Sequence, residues 1–329
     1  MDSELIPSFE NIFSLKNLLA AYLEFRKGKK QKKDVAYFAT GLVSNLTLLK
    51  MDLLGGKYKH GGYLNFKIND PKPRDIHKAS VRDRVVHHAI VSALRDYFEG
   101  FFIHDSYSCR VNKGTHRALN RFEEFSRKIT QNYTLSGYVL KCDIQKCFAS
   151  INQQILKKIL RKHINCDRTF SVLETIIDSF YSGTPGRGLP LGNLTSQLFI
   201  NIYLNELDQY VKRKLKVRFY IRYSDDFVLF SKDIEELKSF ISPMHAFLTN
   251  DLKVRLHPKK ISISSVYSGV DFLGWVHFKN HRVLRSNTKK RMFRKLEKGD
   301  SRTKASYLGL LSHGNSYKLS RLIEGERMI

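Results

Sequence analysis

The sequence has few cysteines, prolines and acidic residues, and these scarcities exclude several classes of protein. Its 329 residues include 4 cysteines whose spacing fits no zinc motif, so we expect reduced thiols. No run approaches the roughly 18 apolar residues of a membrane-spanning helix, and no basic leader precedes an apolar segment. Neither a tandem repeat nor a Pro/Ser-rich linker is present. We therefore expect a cytoplasmic protein that makes no contact with a membrane.

The shortage of acids leaves a large positive charge. The chain has 57 Lys and Arg against 31 Asp and Glu, a formal charge of +26. Solubility requires far less, whereas binding to the phosphates of a nucleic acid depends on such residues. The excess is concentrated in residues 26–33 and in residues 279–329, where 14 basic residues face 4 acidic ones. Although such runs are often solvated surfaces, their amount predicts a nucleic-acid partner.

Two of the few acids are adjacent, at Asp225 and Asp226. They follow Tyr223-Ser224 between the apolar runs 218–223 and 227–230, a pattern that predicts two strands joined by a tight turn. Adjacent carboxylates repel each other unless solvent or a cation takes up their charge. A solvated turn and a metal site both satisfy this pattern, and the hairpin alone favours the solvated turn.

A third acid, Asp143, favours the metal site over the solvated turn. It ends the β-rich run 137–143, and helical spacing of apolar residues follows from residue 151, with Asn152 or Ser150 as the cap. If this strand lies beside the hairpin, Asp143 and Asp225 can hold two Mg²⁺ ions about 3.5–4 Å apart. Carboxylate oxygens suit Mg²⁺, and Mn²⁺ is an acceptable substitute.

Three blocks of the sequence resemble the reverse transcriptase family. Residues 223–226 are similar to its Tyr-x-Asp-Asp signature, residues 143–148 to its first palm acid and following bulky residue, and residues 188–197 to its Leu-Pro-x-Gly turn and helix. The resemblance extends from about residue 60 to 320. It implies an α+β right-hand polymerase fold with fingers, a palm of antiparallel sheet packed on helices, and a short helical thumb. We expect fingers and palm in residues 1–279 and a basic helical thumb in residues 280–329.

The resemblance also implies an activity and its acidic centre. The family copies RNA into DNA, so the expected partners are a template RNA, a cDNA or primer strand, and deoxynucleoside triphosphates. Asp143, Asp225 and Asp226 match the catalytic acids that bind two Mg²⁺ ions. The carbonyl of Ile144 is a further metal ligand by the same resemblance.

Contacts with the incoming nucleotide are likewise implied by the resemblance. The residues that match are Lys67, Arg74, Phe148, Leu191, Gly192, Gln197 and Lys259. Lys67 and Arg74 lie on a strand-turn-strand segment similar to the fingers hairpin, where they would bind the triphosphate. The ring of Phe148 would exclude a 2′-hydroxyl and so select deoxynucleotides. Either Lys259 or Lys260 would donate a proton to pyrophosphate, unless both are simply exposed lysines.

A last group of residues is expected to contact the template or primer. Its members are Arg84, Arg110, Tyr223, Gly274 and Trp275. Arg84 and Arg110 brace the fingers or the template in this interpretation. Residues 269–278 resemble the primer-grip hairpin, in which Trp275 is either a contact or part of the core.

Leu191 indicates which subfamily of reverse transcriptases the chain resembles. Group II intron and retron enzymes usually have Gln there, whereas residues 191–208 resemble the reverse transcriptases of diversity-generating retroelements, whose copying is error-prone at template adenines. This resemblance implies a bacterial or phage-encoded protein and a small basic accessory protein that forms a ring. A group II intron, retron or abortive-infection enzyme is the alternative. A non-catalytic RNA-binding relative is a third, against which the three acids argue.

Overall fold

The computed structural model describes residues 6–70, 72–297, 299 and 301–325, which form helices and short strands. The helices are α1 (Phe9–Ile12), α2 (Leu15–Phe25), α3 (Lys33–Thr40), α4 (Leu42–Leu54), α5 (Val81–Glu99), α6 (Thr115–Ile129), α7 (Cys147–Ser150), α8 (Gln153–Arg161), α9 (Asp167–Asp178), α10 (Leu194–Gln209), α11 (Ile234–Asn250), α12 (Ser286–Leu296), α13 (Ser301–Leu311) and α14 (Tyr317–Glu324). The strands are β1 (Tyr63–Ile68), β2 (Arg74–Ala79), β3 (Tyr138–Asp143), β4 (Phe219–Tyr223), β5 (Asp226–Ser231), β6 (Ser262–Ser265), β7 (Val270–Phe272), β8 (Trp275–His277) and β9 (Arg282–Leu284). None of the helices in these ranges is both long and apolar enough to cross a membrane.

The strands form three antiparallel sheets. β1 and β2 form a hairpin, β4-β5-β3-β6 is the spatial order of a four-stranded sheet, and β7-β8-β9 form a small third sheet. Every pair within them is antiparallel. The predicted α+β class with an antiparallel sheet is therefore confirmed.

Predicted ends of a strand and of a helix are also confirmed. Both depend on residues close together in the sequence. β3 ends at Asp143, and the Asn152 side chain caps α8 by accepting a hydrogen bond from the Ile155 amide at 3.0 Å. Ser80, a cap that was not predicted above, caps α5 in the same way through the Asp83 amide at 3.1 Å. A capping side chain satisfies an amide that the helix itself leaves unpaired.

The chain divides into two compact units. The first comprises Met1–His104, Ile144–Tyr210 and His245–Arg255. Its core forms around α5, which packs against α2 and α10 and has Val85, Ala89 and Ile90 among its buried side chains. β1 and β2 belong to this unit, as do α7 to α9.

The second unit comprises Asp105–Asp143, Val211–Met244 and Leu256–Ile329. α6 packs on β4 and β5, and its Phe122 stacks on Phe272 of β7 with ring centroids 5.4 Å apart. Trp275 completes this core, and Gly314 lies so close that a Cβ there would be 1.9 Å from the indole. Only glycine fits such an approach without displacing the ring.

The predicted boundary at residue 279 does not follow these units. β9 lies after that boundary and pairs with β8 before it, so the third sheet joins the two sides. Helices α12, α13 and α14 lie after residue 279. The assignment of fingers, palm and thumb to these ranges stays a prediction.

Candidate active site

The three predicted acids lie together in the second unit. Asp143 ends β3 and pairs with Asp226 at the start of β5, so the two side chains extend from the same face of the sheet. Asp225 occupies the two-residue turn between β4 and β5. Ser224 beside it has a φ of 57°, a left-handed conformation that lets the turn close tightly.

Burial gives these carboxylates an unusual electrostatic environment. It raises the pKa of Asp225, and the charge of Asp143 adds to this effect. Burial likewise raises the pKa of Asp226 to about 6, with Asp143 and Asp225 contributing and Lys141 opposing. Asp143 is buried, and Asp225 and Asp226 are half-buried. Neighbouring carboxylates shielded from solvent are difficult to ionise together, so a cation beside them would be strongly stabilised.

Lys260 supplies one such cation. Its Nζ donates to Asp143 Oδ2 at 2.7 Å, and the Asp143 side chain is 8% exposed. Lys259 is exposed, and its backbone amide donates to His257 Nδ1. Of the two lysines that the sequence left open for protonating pyrophosphate, Lys260 is therefore the one that contacts Asp143, and the role of either lysine at pyrophosphate stays a prediction.

The same ion pair bears on metal binding. Within the described ranges, no group of three or more His, Cys, Asp or Glu side chains converges in a geometry that would hold a metal ion. The ammonium of Lys260 contacts one of the oxygens expected to ligate. The carboxylates nevertheless have the chemistry that hard divalent cations require. Ile144 is buried, and the role of its carbonyl stays a prediction.

Arg222 supports the acidic turn and was missed by the sequence reasoning. It is fully buried, and its Nη1 donates to the Ser224 carbonyl at 3.2 Å. Its backbone is held by Asp105 and Tyr107 through hydrogen bonds of 3.0 and 2.9 Å. An arginine inside an otherwise apolar strand was the signal in the sequence that could have identified it.

Tyr223 is half-buried and accepts a hydrogen bond from the Thr115 hydroxyl at 3.1 Å. Its expected contact with the template stays a prediction.

In the first unit, the predicted fingers hairpin is present as β1 and β2. Lys67 is paired with Asp75, and Arg74 with Ile68, so the two exposed basic residues start from opposite faces of the hairpin. Long side chains would have to converge at the end of the hairpin to bind one triphosphate. Their joint contact with a nucleotide stays a prediction.

The hairpin contacts the middle sequence block directly. The His77 amide donates to the Leu191 carbonyl at 2.9 Å, and Asn193 bonds back to β2 through the His77 carbonyl at 2.7 Å. Gly192 has a φ of 104°, and a Cβ there would be 2.8 Å from Ile76. The structure thus brings together two of the blocks expected to contact a nucleotide.

Phe148 and Gln197 are the other predicted nucleotide residues of this unit, and both are half-buried. The Phe148 carbonyl accepts a hydrogen bond from the Leu189 amide at 2.7 Å, which ties it to the middle block. Gln153 secures the same loop, because its Nε2 lies within 3.1 Å of the carbonyls of Ile177, Phe180 and Gly188. Sequence reasoning gave Gln153 no role, since nothing local indicates these distant partners.

The two predicted bracing arginines have different surroundings. Arg84 donates to Asp34 Oδ2 at 2.5 Å and lies 4.5 Å above the Phe25 ring, so it braces α5 against α2 and α3. Arg110 belongs to the second unit and donates to the Ser106 carbonyl at 2.8 Å. The bracing role is supported for Arg84, whereas template contacts by either residue stay predictions.

The predicted primer-grip hairpin forms as β7 and β8. Gly274 in its turn has a φ of 89°, and its carbonyl accepts from the Arg285 amide at 3.1 Å. Trp275 is 1% exposed within the core of its unit. This burial corrects the expected contact of its side chain with template or primer, since a buried ring has no surface to offer. Of the two alternatives, core packing is the one observed.

Comparisons with known proteins place these features in a family. The family model described as "Reverse transcriptase (RNA-dependent DNA polymerase)" matches residues 67–277. Protein YkfC of Escherichia coli (strain K12) is 27% identical over 288 residues, which cover 75% of this chain and 73% of YkfC. The group II intron-encoded protein LtrA of Lactococcus lactis subsp. cremoris is 23% identical over 68% of this chain and 47% of LtrA. The chain therefore spans less than half the length of LtrA.

Similarity to solved structures identifies the fold of the chain. Apo telomerase from Candida tropicalis, truncated from its C-terminal domain, has a TM-score of 0.51 at 11% identity, over 74% of this chain and 60% of that one. Telomerase from Candida albicans, in complex with a fragment of telomeric RNA, has a TM-score of 0.51 at 12% identity, over 82% and 55%. Such identities show the fold alone, and this is the predicted right-hand polymerase fold. Since the family model spans more than half of the residues, the chain belongs to the reverse transcriptase family of RNA-dependent DNA polymerases.

Proposed function

We propose that this protein extends a primer with deoxynucleotides on an RNA template, by nucleotidyl transfer that uses two metal ions. One observation carries the proposal: Asp143 and Asp226 are paired on adjacent strands, and Asp225 occupies the turn next to them. Family membership supports the same reaction. The large positive charge of the chain suits an RNA template and a growing cDNA strand.

The three carboxylates fit two Mg²⁺ ions, with Mn²⁺ as a substitute. Burial opposes the charge of Asp225 and Asp226, so a divalent cation would keep both ionised. When bound, two such ions would align the attacking hydroxyl and offset the charge of the leaving pyrophosphate. The Ile144 carbonyl is a further proposed ligand. Lys260, which is already hydrogen-bonded to Asp143, would give up that contact to a metal ion.

Other residues have proposed roles in binding. Lys67 and Arg74 would hold the triphosphate, and Phe148 would lie against the sugar. Lys260 Nζ lies 2.7 Å from Asp143 Oδ2, next to the proposed metal site, and Lys260 is therefore the better candidate for protonating pyrophosphate than Lys259. These roles extend what family membership supports to individual positions of this chain.

The test is Asp225→Asn, with Asp233→Asn as a matched control. Both changes replace a carboxylate by an amide of the same shape, and Asp233 is exposed beyond the end of β5, where Asn also caps a helix. We expect Asp225→Asn to reduce primer extension on RNA by about 10²–10³-fold, because transition-state charge is no longer balanced. RNA affinity, measured by fluorescence anisotropy, should remain unchanged. Substantial synthesis by Asp225→Asn, or an equal loss in the control, would contradict the proposal.

A narrower part of the proposal is error-prone copying at template adenines in a diversity-generating retroelement. Leu191 supports it, because an apolar side chain offers no hydrogen bond that would favour a correct base pair. A small basic ring-forming accessory protein and a cytoplasmic location in a bacterial host belong to the same proposal. Sequencing of products from a defined RNA would test it through the error rate at adenines.

The second candidate is a group II intron type of enzyme, and the similarity to LtrA favours it. This candidate predicts primer extension with no excess of errors at adenines. A retron or abortive-infection enzyme would share that chemistry and differ in its neighbouring genes. A non-catalytic RNA-binding relative would bind RNA and fail to extend the primer.

A further inference from the structure

A cleft in the first unit lies among three segments that the proposed function does not use together. Its volume is about 430 Å³, within the range of about 300–1,000 Å³ that is typical of small-molecule sites. Residues from the α7 region, the loop before α10 and the end of α11 line it: Gln145, Lys146, Ser150, Arg187, Thr249, Lys253, Val254 and Arg255. We refer to it as the basic cleft.

The charge of the basic cleft is entirely of one sign. Lys146, Arg187, Lys253 and Arg255 contribute four cationic groups, and no acid is among the lining residues. In the part of the chain that the structure describes, none of these four forms a salt bridge with a carboxylate. Cations gathered in a concave surface repel each other and create a positive potential. Such a site favours a compact anion of high charge.

Two side chains in the basic cleft offer hydrogen-bond donors to a ligand. The Arg187 Nη1 donates to the carbonyls of Ser150 at 3.1 Å and Lys253 at 2.9 Å, which fixes the guanidinium and leaves Nε and Nη2 as donors. Thr249 Oγ1 is shielded from solvent and has no hydrogen-bond partner among the described residues. A fixed fork and an unpaired hydroxyl are the donors that phosphate oxygens accept.

We propose that the basic cleft binds a compact polyphosphate, such as inorganic triphosphate or the phosphates of a nucleotide. No aromatic side chain lines it, so it offers no surface on which a base would stack. Recognition therefore depends on the phosphates alone. The lining includes neither Lys67 nor Arg74 and none of the three acids, so this site is additional to the nucleotide contacts proposed above.

The experiment measures binding of inorganic triphosphate by calorimetry without divalent metal. All variants carry Lys67→Gln and Arg74→Gln, so that the proposed nucleotide contacts do not contribute. The test variant adds Lys253→Gln and Arg255→Gln, whereas the control adds two exposed changes, Lys158→Gln on α8 and Lys162→Gln just after its end. We expect the dissociation constant to rise at least tenfold in the test variant and to stay unchanged in the control. Equal affinity in the two variants would overturn the proposal.

A second arm separates binding of a compact polyphosphate from binding of a nucleic-acid strand. Binding of a labelled twelve-residue oligothymidine is measured in the same variants, and we expect the test variant and the control to bind it alike. A loss of oligonucleotide affinity without a loss of triphosphate affinity would assign the basic cleft to a nucleic-acid strand and refute the proposal. If the double change prevents folding, Thr249→Val decides: it should weaken triphosphate binding about threefold, and an unchanged constant would refute the site.

Discussion

His277 on β8 makes the stability of the second unit dependent on pH. The residue is 3% exposed, and neither ring nitrogen has a hydrogen-bond partner within the described part of the chain. Its ring centroid is 4.3 Å from that of Phe122. Burial, together with the smaller effect of the Arg282 charge, lowers the pKa of His277 to about 3. The folded protein therefore keeps this imidazole neutral at pH values at which the unfolded chain would protonate it.

The sign and size of the change in stability with pH follow from the difference between the pKa of His277 in the folded and unfolded states. An unfolded histidine has a pKa of about 6.5, so acidification below that value favours the unfolded state, which binds the proton. The contribution of His277 is fully present above pH 6.5 and is lost as the pH falls from 6.5 towards 3. One pH unit corresponds to about 1.4 kcal/mol, so unfolding should become easier by about 2 kcal/mol at pH 5.

Urea unfolding at pH 7.5 and pH 5 measures this contribution. His277→Leu removes the titrating group from the core, and His281→Leu is the control because His281 is exposed in the same unit. We expect the loss of stability between the two pH values to be about 2 kcal/mol smaller in His277→Leu than in the wild type or the control. The other titrating groups affect all three proteins alike, so their effects cancel when the losses of stability are compared. An identical loss in all three proteins would refute the reasoning.

Three further predictions concern the first unit. Phe148→Ala should raise incorporation of ribonucleotides relative to deoxynucleotides in primer extension, and unchanged selectivity would place the ring in the core only. Leu191→Gln should lower misincorporation at template adenines when products are sequenced; accurate wild-type copying there would remove the diversity-generating assignment. Gln153→Leu leaves three carbonyls without their donor and should reduce the unfolding free energy in urea by about 1–3 kcal/mol, while exposed Gln154→Leu changes it little; equal effects would contradict this role.

The sequence predicted those parts of the fold and candidate site that depend on neighbouring residues. The end of β3 at Asp143, the turn at Asp225 and the cap at Asn152 follow from local alternation and capping chemistry. The Asp143 strand does lie beside the hairpin, which was the condition for a joint metal site. The sequence left this pairing open, because a strand alone does not specify its partner.

Contacts across long separations were decided by the tertiary structure alone. Lys260 reaches Asp143 across 117 residues, and the donor of Gln153 serves carbonyls up to 35 residues away. The burial of Trp275 depends on the approach of Gly314, which no local pattern shows. These outcomes depend on which surfaces pack together, and a sequence pattern records only what each segment can bury.

The sequence by itself determined that the protein is strongly basic and carries few acids, three of which match a polymerase signature. Only the tertiary structure decided how charge is balanced: Lys260 compensates Asp143, Arg222 is buried beneath the acidic turn, and the basic cleft has no acid in its lining. The physical reason is that electrostatic energy depends on distance and burial in space, and the order of residues along the chain fixes neither.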